Sequence, residues 1–363
     1  MKGEAVGLAG KDVCVLEIEH SGHRLFFAVL LANHLADQGA KTTLATSPEA
    51  ISSPEGREHL RFLDKRVEIV DCPKSKGLNY WIDFFSQTAD KVVVLDGEGL
   101  VYQVTLPAAD PKKIVALMLH SPELYKIRPT LNRLAKRALI QRARAKSYTL
   151  VNLASPGIVA EGRPGIAPDP SPFALIHNLA IPAGPVRLSQ DRTWIGVFGG
   201  ISARKGPELA LDAIAYSRRK DLGLVVIGKW QNPDQLDRFT KKAKLNHVEV
   251  LLVNDYVSTE DLRSYIAGVD VVLVLNHNEG SSGILLGACA LGKPVALGGS
   301  LSLKKDAKLL GVPWVNAQYG LLSQTLNHVG HPAKLRPSYK PNPDGSDFSG
   351  VIISALRGNL GVI

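Results

Sequence analysis

Cysteine is scarce, with three in 363 residues, and Cys14, Cys72 and Cys289 lie far apart with no paired spacing. An odd, scattered set excludes a disulfide scaffold and a cysteine zinc site. Each lies in or beside an apolar run, the pattern of buried free thiols in a reducing cytoplasm. No G-x-G-x-x-G occurs, which counts against a nicotinamide or flavin dehydrogenase, and no glycine loop ends in G-K-[ST], which counts against a Walker nucleotide site. No apolar run reaches the roughly 18 residues that a transmembrane helix requires. The first twenty residues, MKGEAVGLAGKDVCVLEIEH, lack the apolar core of a secretory signal and run straight into a strand. Aromatic residues are few, 6%, and none is interleaved with the basic clusters as base stacking requires, so nucleic acid is not expected.

What is present is an ordinary soluble composition, 45% hydrophobic and 21% charged, in a chain long enough for two domains. A net charge of +9 favours anionic partners without choosing among small molecules, lipid and nucleic acid. The most informative stretch is Asp270 to Gly299. Asp270–Asn276 is nearly all apolar, as in a strand covered on both faces of a parallel sheet. A polar loop, His277–Gly283, follows, then a helical run Ile284–Leu291 stopped by Gly292-Lys293-Pro294, then a strand Val295–Leu297. Loops at the carboxyl ends of such strands hold the ligands of open α/β sheets. Glu279 lies in this loop. The amides near Ser281, Ser282, Gly283 and Ile284 open the helix, where about half a positive charge attracts phosphate. A carboxylate beside a phosphate seat suits a ligand with hydroxyls at one end and phosphates at the other.

Elsewhere, strands are expected at Val13–Ile18, Lys41–Thr46, Val67–Val70, Lys91–Leu95 and Ile114–Leu119. Helices are expected at Leu25–Gln38 and Tyr80–Gln87, so strands alternate with helices around a parallel, doubly wound sheet. His120 follows the strand Ile114–Leu119 and reads either as a turn residue or as a cleft histidine for a substrate hydroxyl or phosphate. Between Lys126 and Lys146 stand eight Lys or Arg and no acid, with Leu131, Leu134, Ala135, Ala138 and Leu139 in one apolar stripe. Such a helix either lies on an anionic membrane or receives an acidic acceptor. The alternative is an outer helix with a solvated basic face. Residues 151–192 are rich in proline and read as a connector, with one short strand in ALIHNLAIP ending at His177-Asn178 and a domain boundary just after it. Thr193–Phe198 opens a second domain. Its loop, Gly199-Gly200-Ile201-Ser202-Ala203-Arg204-Lys205-Gly206, offers close backbone approach and two cations before Pro207 starts a helix. Strands follow at Leu222–Ile227 and Val248–Val253, with helices at Pro233–Lys242 and Thr259–Ala267. The tail closes on a helix, Phe348–Leu356.

These motifs resemble glycosyltransferase family 4, the group 1 transferases. FGGISARKGPELALDAI resembles that family's phosphate loop and helix, and NEGSSGILLGACALGKPVALGG its donor motif. LMLHSP resembles the strand ending in an active-site histidine, and EHSGHRLFFAVLLANHLADQGAKTTLAT the opening βαβ unit with its glycine turn. The resemblance implies an α/β fold of the GT-B type, two Rossmann-like doubly wound domains facing across a cleft. It puts an acceptor-side domain at 1–180, a linker at 181–192, a nucleotide-sugar domain at 193–335 and a tail, 336–363, packing back on the first domain. The activity implied is retaining transfer of a sugar from a nucleoside-diphosphate sugar, with no cofactor and no metal. Lys205 would neutralise the donor diphosphate with Arg204, Gly199, Gly200 and the helix start at Ser281–Ile284. Glu279 would hold hydroxyls of the transferred sugar and His120 would contact it. The Gly22 turn would lie beside the diphosphate, and Tyr256 and Val257 would pack on the base.

Two positions depart from that family's pattern. Its second motif glutamate, which holds the ribose, falls on Gly287, and its arginine after the strand falls on Gly200. Arg204 can serve the same diphosphate; nothing in the sequence replaces the ribose carboxylate. An inactive GT-B binding or partner subunit is therefore the second reading, and a sugar-nucleotide epimerase or hydrolase the third. A cytoplasmic protein is expected, peripheral at the inner face of the membrane through Lys126–Lys146, with the acceptor unidentified.

Overall fold

The structure, a computed structural model, describes residues 7–19, 24–103, 105–119, 124, 131–181, 188–276, 280–311, 322–324, 326 and 342–358. The chain divides into two compact units. The first comprises residues 1–154, 158–169 and 345–363, the second residues 155–157 and 170–344.

In the first unit the chain alternates strongly between strands and helices. In order they are β1 (Asp12–Glu17), α1 (Arg24–Asp37), β2 (Lys41–Thr46), α2 (Pro48–Ser52), α3 (Pro54–Leu60), β3 (Glu68–Asp71), α4 (Gly77–Thr88), β4 (Lys91–Val94), α5 (Gly97–Val101), β5 (Ile114–Met118), α6 (Leu131–Ala145), β6 (Thr149–Ala154), α7 (Pro156–Val159) and β7 (Ile166–Pro168). The strands form one parallel sheet in the order β3-β2-β1-β4-β5-β6-β7. Cys14, Leu16, Val92, Val94, Ala116 and Met118 alternate along their strands, so they line one sheet face. There they meet Trp81, Ile82 and Phe85 of α4, Leu100 of α5, and Ile140 and Ala143 of α6. Burying one such large side chain contributes about 1.5–3 kcal/mol. The last helix of the chain, α13 (Ser346–Leu356), belongs to this unit. Its Phe348 ring packs at a tilt against Phe27 of α1, centroids 5.4 Å apart, and Ser349 Oγ lies 2.7 Å from His34 Nδ1.

The second unit continues with β8 (Thr193–Phe198), α8 (Pro207–Ala215), β9 (Leu222–Ile227), α9 (Pro233–Leu245), β10 (Glu249–Val253), α10 (Thr259–Gly268), β11 (Val271–Val274), α11 (Gly283–Ala290), β12 (Val295–Leu297) and α12 (Leu301–Leu310). Its sheet is parallel throughout, in the order β10-β9-β8-β11-β12. All six residues of β9 are buried, as expected of a central strand covered on both faces. Asp270 fixes the adjoining edge by accepting the Trp194 N–H at 2.7 Å.

Two expectations fail in the connector. Residues 149–154, assigned to the end of the first domain and the connector, form the buried strand β6, and β7 extends the sheet beyond it. ALIHN is not a strand. Ala174–Ile176 is a single 3-10 turn, because Arg263 of α10 donates to Ile176 O at 2.7 Å and Leu179 O at 2.9 Å. Those bonds attach 174–179 to the second unit, so the chain changes units at 169/170, upstream of the expected 181–192 linker.

Candidate phosphate seat at the second switch point

In each sheet the strand order reverses once, between β1 and β4 and between β8 and β11. The connections from two adjacent strands there leave to opposite faces and open a crevice at their carboxyl ends. In the second unit this crevice lies between the loop after β8 and the loop after β11. Gly199 is its floor. A side chain there would place its Cβ 3.7 Å from Lys205 Nζ and 3.9 Å from the Ile284 side chain. The backbone at Gly199 also has φ +94°, which side-chain-bearing residues rarely adopt. Lys205 closes a single 3-10 turn, Ala203–Lys205, and so returns its ammonium over the strand end. Ile284 stands in the first turn of α11. A cation and a helix N-terminus thus converge over bare backbone.

The helix start is prepared for an anion. Ser282 caps α11, its Oγ accepting the Leu285 N–H at 3.4 Å, which leaves the amides of Gly283 and Ile284 without intrahelical acceptors. The loop just ahead is pinned from behind. Ser302 Oγ accepts the Gly280 N–H at 3.1 Å and stands 3.2 Å from Gly280 O. Ser300 Oγ is 2.9 Å from Ser302 Oγ. Asn276 Oδ1 and Ser281 Oγ are buried with no hydrogen-bond partner among the described residues. Asn276 read in the sequence only as the end of the apolar strand Asp270–Asn276, and Ser302 drew no reading there.

Lys205 is half-buried, and burial, reinforced by the neighbouring Arg204 charge, lowers its pKa to about 8. An ammonium held at that cost gains most from an anion. Arg204 is exposed on the same turn. Gly200 faces Gln231, whose Nε2 lies 3.9 Å from where a Cβ would stand. Tyr256 and Val257 follow β10, two strands from β8, and so lie about 10 Å along the same edge; the Tyr256 side chain is exposed. Gly287 has a definite neighbour: a Cβ there would stand 2.8 Å from the Phe173 ring and 3.2 Å from Pro172. An aromatic side chain fills the space that a longer residue at 287 needs. Gly22, His120 and Glu279 lie outside the described residues. The structure therefore brings Gly199, Lys205, Ser282, Gly283 and Ile284 together, with Arg204, Gly200 and Ser281 beside them.

The first unit's switch point holds a feature missed in the sequence. Glu17, the last residue of β1, is fully buried. Its Oε1 accepts the Glu19 N–H at 2.7 Å, and its Oε2 has no hydrogen-bond partner among the described residues. Burial raises its pKa to about 8, opposed by the Glu19 amide and the Arg24 charge and assisted by Asp96 and Glu19. Arg24 is engaged by Asp96 at 3.0 Å, and Lys74 by Glu19 at 2.8 Å.

Residues 185–300 match the family model for group 1 glycosyl transferases. No curated protein sequence matches the chain. Among solved structures, the Anabaena protein Alr3699/HepE, in complex with UDP and glucose, aligns with a TM-score of 0.58 at 12% identity over 96% of each chain. WaaG, a glycosyltransferase involved in lipopolysaccharide biosynthesis, aligns at 0.56 and 16% identity over 96% of this chain and 94% of that one. Sucrose-phosphate synthase from Thermosynechococcus elongatus aligns at 0.56 and 12% over the same shares. The fold is thus α/β of the GT-B type, and the segment carrying the phosphate seat is the one that resembles group 1 glycosyltransferases.

Proposed function

We propose that the chain is a retaining glycosyltransferase that moves a sugar from a nucleoside-diphosphate sugar to an acceptor not yet identified. The observation that carries the reading is the convergence of Lys205 Nζ and the first turn of α11 over Gly199, at a switch point inside the segment that matches group 1 glycosyltransferases. A departing diphosphate accumulates negative charge as the bond to the sugar breaks. Fixed donors already aimed at that charge stabilise the transition state more than the ground state. Lys205 and the amides of Gly283 and Ile284 are such donors, and Arg204 adds a cation on the same turn. Glu279 holds the sugar hydroxyls, His120 contacts the same sugar, the Gly22 turn lies beside the diphosphate, and Tyr256 and Val257 pack on the base. Lys205, Arg204 and the α11 amides meet the phosphate charge with no metal and no other cofactor. The segment Lys126–Lys146 makes peripheral contact with an anionic membrane on the cytoplasmic side. That HepE was solved with UDP and glucose makes UDP sugars the first donors to try.

The test is calorimetry with UDP, GDP and ADP sugars, followed by transfer assays and NMR assignment of the product anomer. Micromolar binding of one donor, lost in Lys205→Ala, is expected. A product of inverted configuration refutes retention, and release of free sugar without acceptor points to hydrolysis. One observation favours a second reading: Phe173 occupies the space beside Gly287, so no carboxylate stands there for a ribose. No heat with any donor makes the chain a GT-B binding or partner subunit.

A further inference from the structure

The loops that follow β8 and β9 enclose a cavity of about 230 Å³ in the second unit, walled by Pro207, Glu208 and Leu209 of α8, Gln235 of α9 and the Trp230 ring. It is not the phosphate seat. Ala203 and Gly206 line it from either side of Arg204-Lys205, whereas Lys205 turns its Nζ toward Gly199. The volume holds several waters at about 30 Å³ each. It falls short of the roughly 300 Å³ at which sites for larger ligands begin, so it suits one small ring.

The wall is fixed before any ligand arrives. Ile201 and Trp230 pair across the two loops as a parallel bridge, and Asn254 Oδ1 accepts the Trp230 N–H at 2.9 Å. The indole packs 5.2 Å from the Phe239 ring and is 6% exposed. Its Nε1 is nevertheless buried with no hydrogen-bond partner among the described residues, although a buried indole N–H ordinarily has one. The start of α8 adds further donors. Gly206 caps the helix without a side chain, Pro207 has no N–H, and the first intrahelical bond runs from the Ala210 N–H to Gly206 O at 2.9 Å. The amides of Glu208 and Leu209 therefore lack intrahelical acceptors. Acceptors stand in the same wall: Glu208 is its one charged residue, and the Gln235 carboxamide can donate or accept.

We infer that this cavity is a second small-molecule site, for a neutral ring bearing several hydroxyls, such as a single hexose. A hydroxyl donates and accepts at once, so neighbouring hydroxyls can meet the indole N–H and the α8 amides while giving their protons to Glu208 and Gln235. Pro207, Leu209 and the indole offer apolar surface to the C–H groups of the ring. An anion would gain from the helix start but lie against Glu208. A cation would gain from Glu208 but face the same helix start and the Arg204-Lys205 turn. The inference goes beyond the transfer reaction and uses none of the residues that converge on Gly199.

The experiment is an NMR titration of the full chain carrying isotope-labelled tryptophan. Its four indole N–H signals are followed, and Trp230→Phe identifies the one from Trp230. Glucose at millimolar concentration should move that signal saturably and leave the other three in place, with or without saturating UDP. Glu208→Ala should weaken the response about tenfold or more and Gln235→Ala about two- to tenfold. Unmoved Trp81 and Trp194 signals in the free variants report that they fold. No response to glucose refutes the site. A response to inorganic phosphate in place of glucose overturns the neutral ring in favour of an anion. A glucose response abolished by UDP puts the sugar at the phosphate seat, and one unaltered in both variants removes Glu208 and Gln235 as its partners; either overturns the proposal. Because the titration needs no donor and no turnover, failure of the transfer assays leaves its outcome standing.

Discussion

Glu17→Gln tests the electrostatics of the first unit most directly. The native carboxyl has a pKa of about 8 against an ordinary 4.5. Below pH 4.5 both folded and unfolded chains hold its proton, and stability from this group is fully present. Between the two values the unfolded chain gives the proton up and the folded chain keeps it. Folding stability therefore falls as pH rises, by about 1.4 kcal/mol per pH unit and about 5 kcal/mol over the whole window. Above pH 8 both states are ionised and the slope from this group ends. The charged groups around it are Arg24 at the start of α1, Asp96 after β4, and Glu19 in its own loop. Arg24 is already paired with Asp96 and offers incomplete compensation. Glutamine keeps the shape and an oxygen for the Glu19 N–H but cannot ionise. Urea midpoints of wild type and Glu17→Gln, measured in parallel at half-unit steps from pH 5 to pH 9, share every other titration, so their difference isolates Glu17. The variant should gain on wild type steadily up to about pH 8 and then hold a constant lead. Parallel curves across the range would show that Glu17 is ionised in the fold, and the argument from its burial would be wrong.

Lys205→Ala should cut turnover well over tenfold and abolish donor binding seen by calorimetry, whereas equal turnover removes Lys205 from the site. Because the Lys205 ammonium has a pKa of about 8, UDP affinity of the wild type should fall as pH passes that value, and Lys205→Arg should flatten the profile. The same depression makes unliganded stability rise between about pH 8 and the ordinary 10.5, where the unfolded chain still holds the proton, so Lys205→Met should raise the melting temperature at pH 7 and lose that slope. Gly287→Ala should cost about 1–3 kcal/mol through contact with Phe173, read by urea unfolding and relieved in the double variant with Phe173→Leu. Ser302→Ala frees Gly280, the residue after Glu279. Affinity for the full donor should fall about two- to tenfold with UDP affinity unchanged, and equal losses for both would assign Ser302 to the fold rather than to the sugar end.

Much of the second unit was legible because burial there is nearly complete. Thr193–Phe198 and Leu222–Ile227 are unbroken apolar runs between turn residues, and each is a strand with those bounds. Pro207 and Ser258 mark helix starts by local rules, and α8 and α10 begin at Pro207 and just after Ser258. What failed depended on contacts distant in sequence. Thr149–Ala154 was masked by the proline-rich run that follows it, and its burial comes from pairing with β5. ALIHN reads as a short apolar strand but is bent into a turn by Arg263, 87 residues away from Ile176. On α6 the periodicity grouped Leu131, Leu134, Ala135, Ala138 and Leu139 into one stripe, but of these only Leu139 packs on the core, beside the buried Ile140 and Ala143, while Leu131 and Leu134 are exposed. Phe173 beside Gly287 has no signature in the sequence. The loss of a carboxylate at 287 was visible, and the ring that bars its return was not.

The two switch points share one electrostatic feature. Each holds one ionisable group displaced from its ordinary charge balance by burial, Glu17 toward the neutral acid and Lys205 toward the neutral amine. Such displacement persists where other contacts hold the group in place, and it lowers the stability of the unliganded protein. The consequences differ because the surroundings differ. Glu17 is fully buried, with an oxygen that no group among the described residues satisfies, so its proton responds to pH and to folding. Lys205 is half-open at the floor made by Gly199, with the α11 amides beside it, so the relief available to it is an anion. On the proposed reading, a diphosphate arriving there above pH 8 would return the ammonium to its charged form and occupy the helix start in the same step. Binding and recharging are therefore one event, and the proton that Lys205 takes up with UDP above pH 8 should appear as a buffer-dependent enthalpy in calorimetry. An enthalpy identical in Tricine and Tris buffers at pH 8.5 would mean that the lysine is already charged before the ligand arrives, or is not its partner.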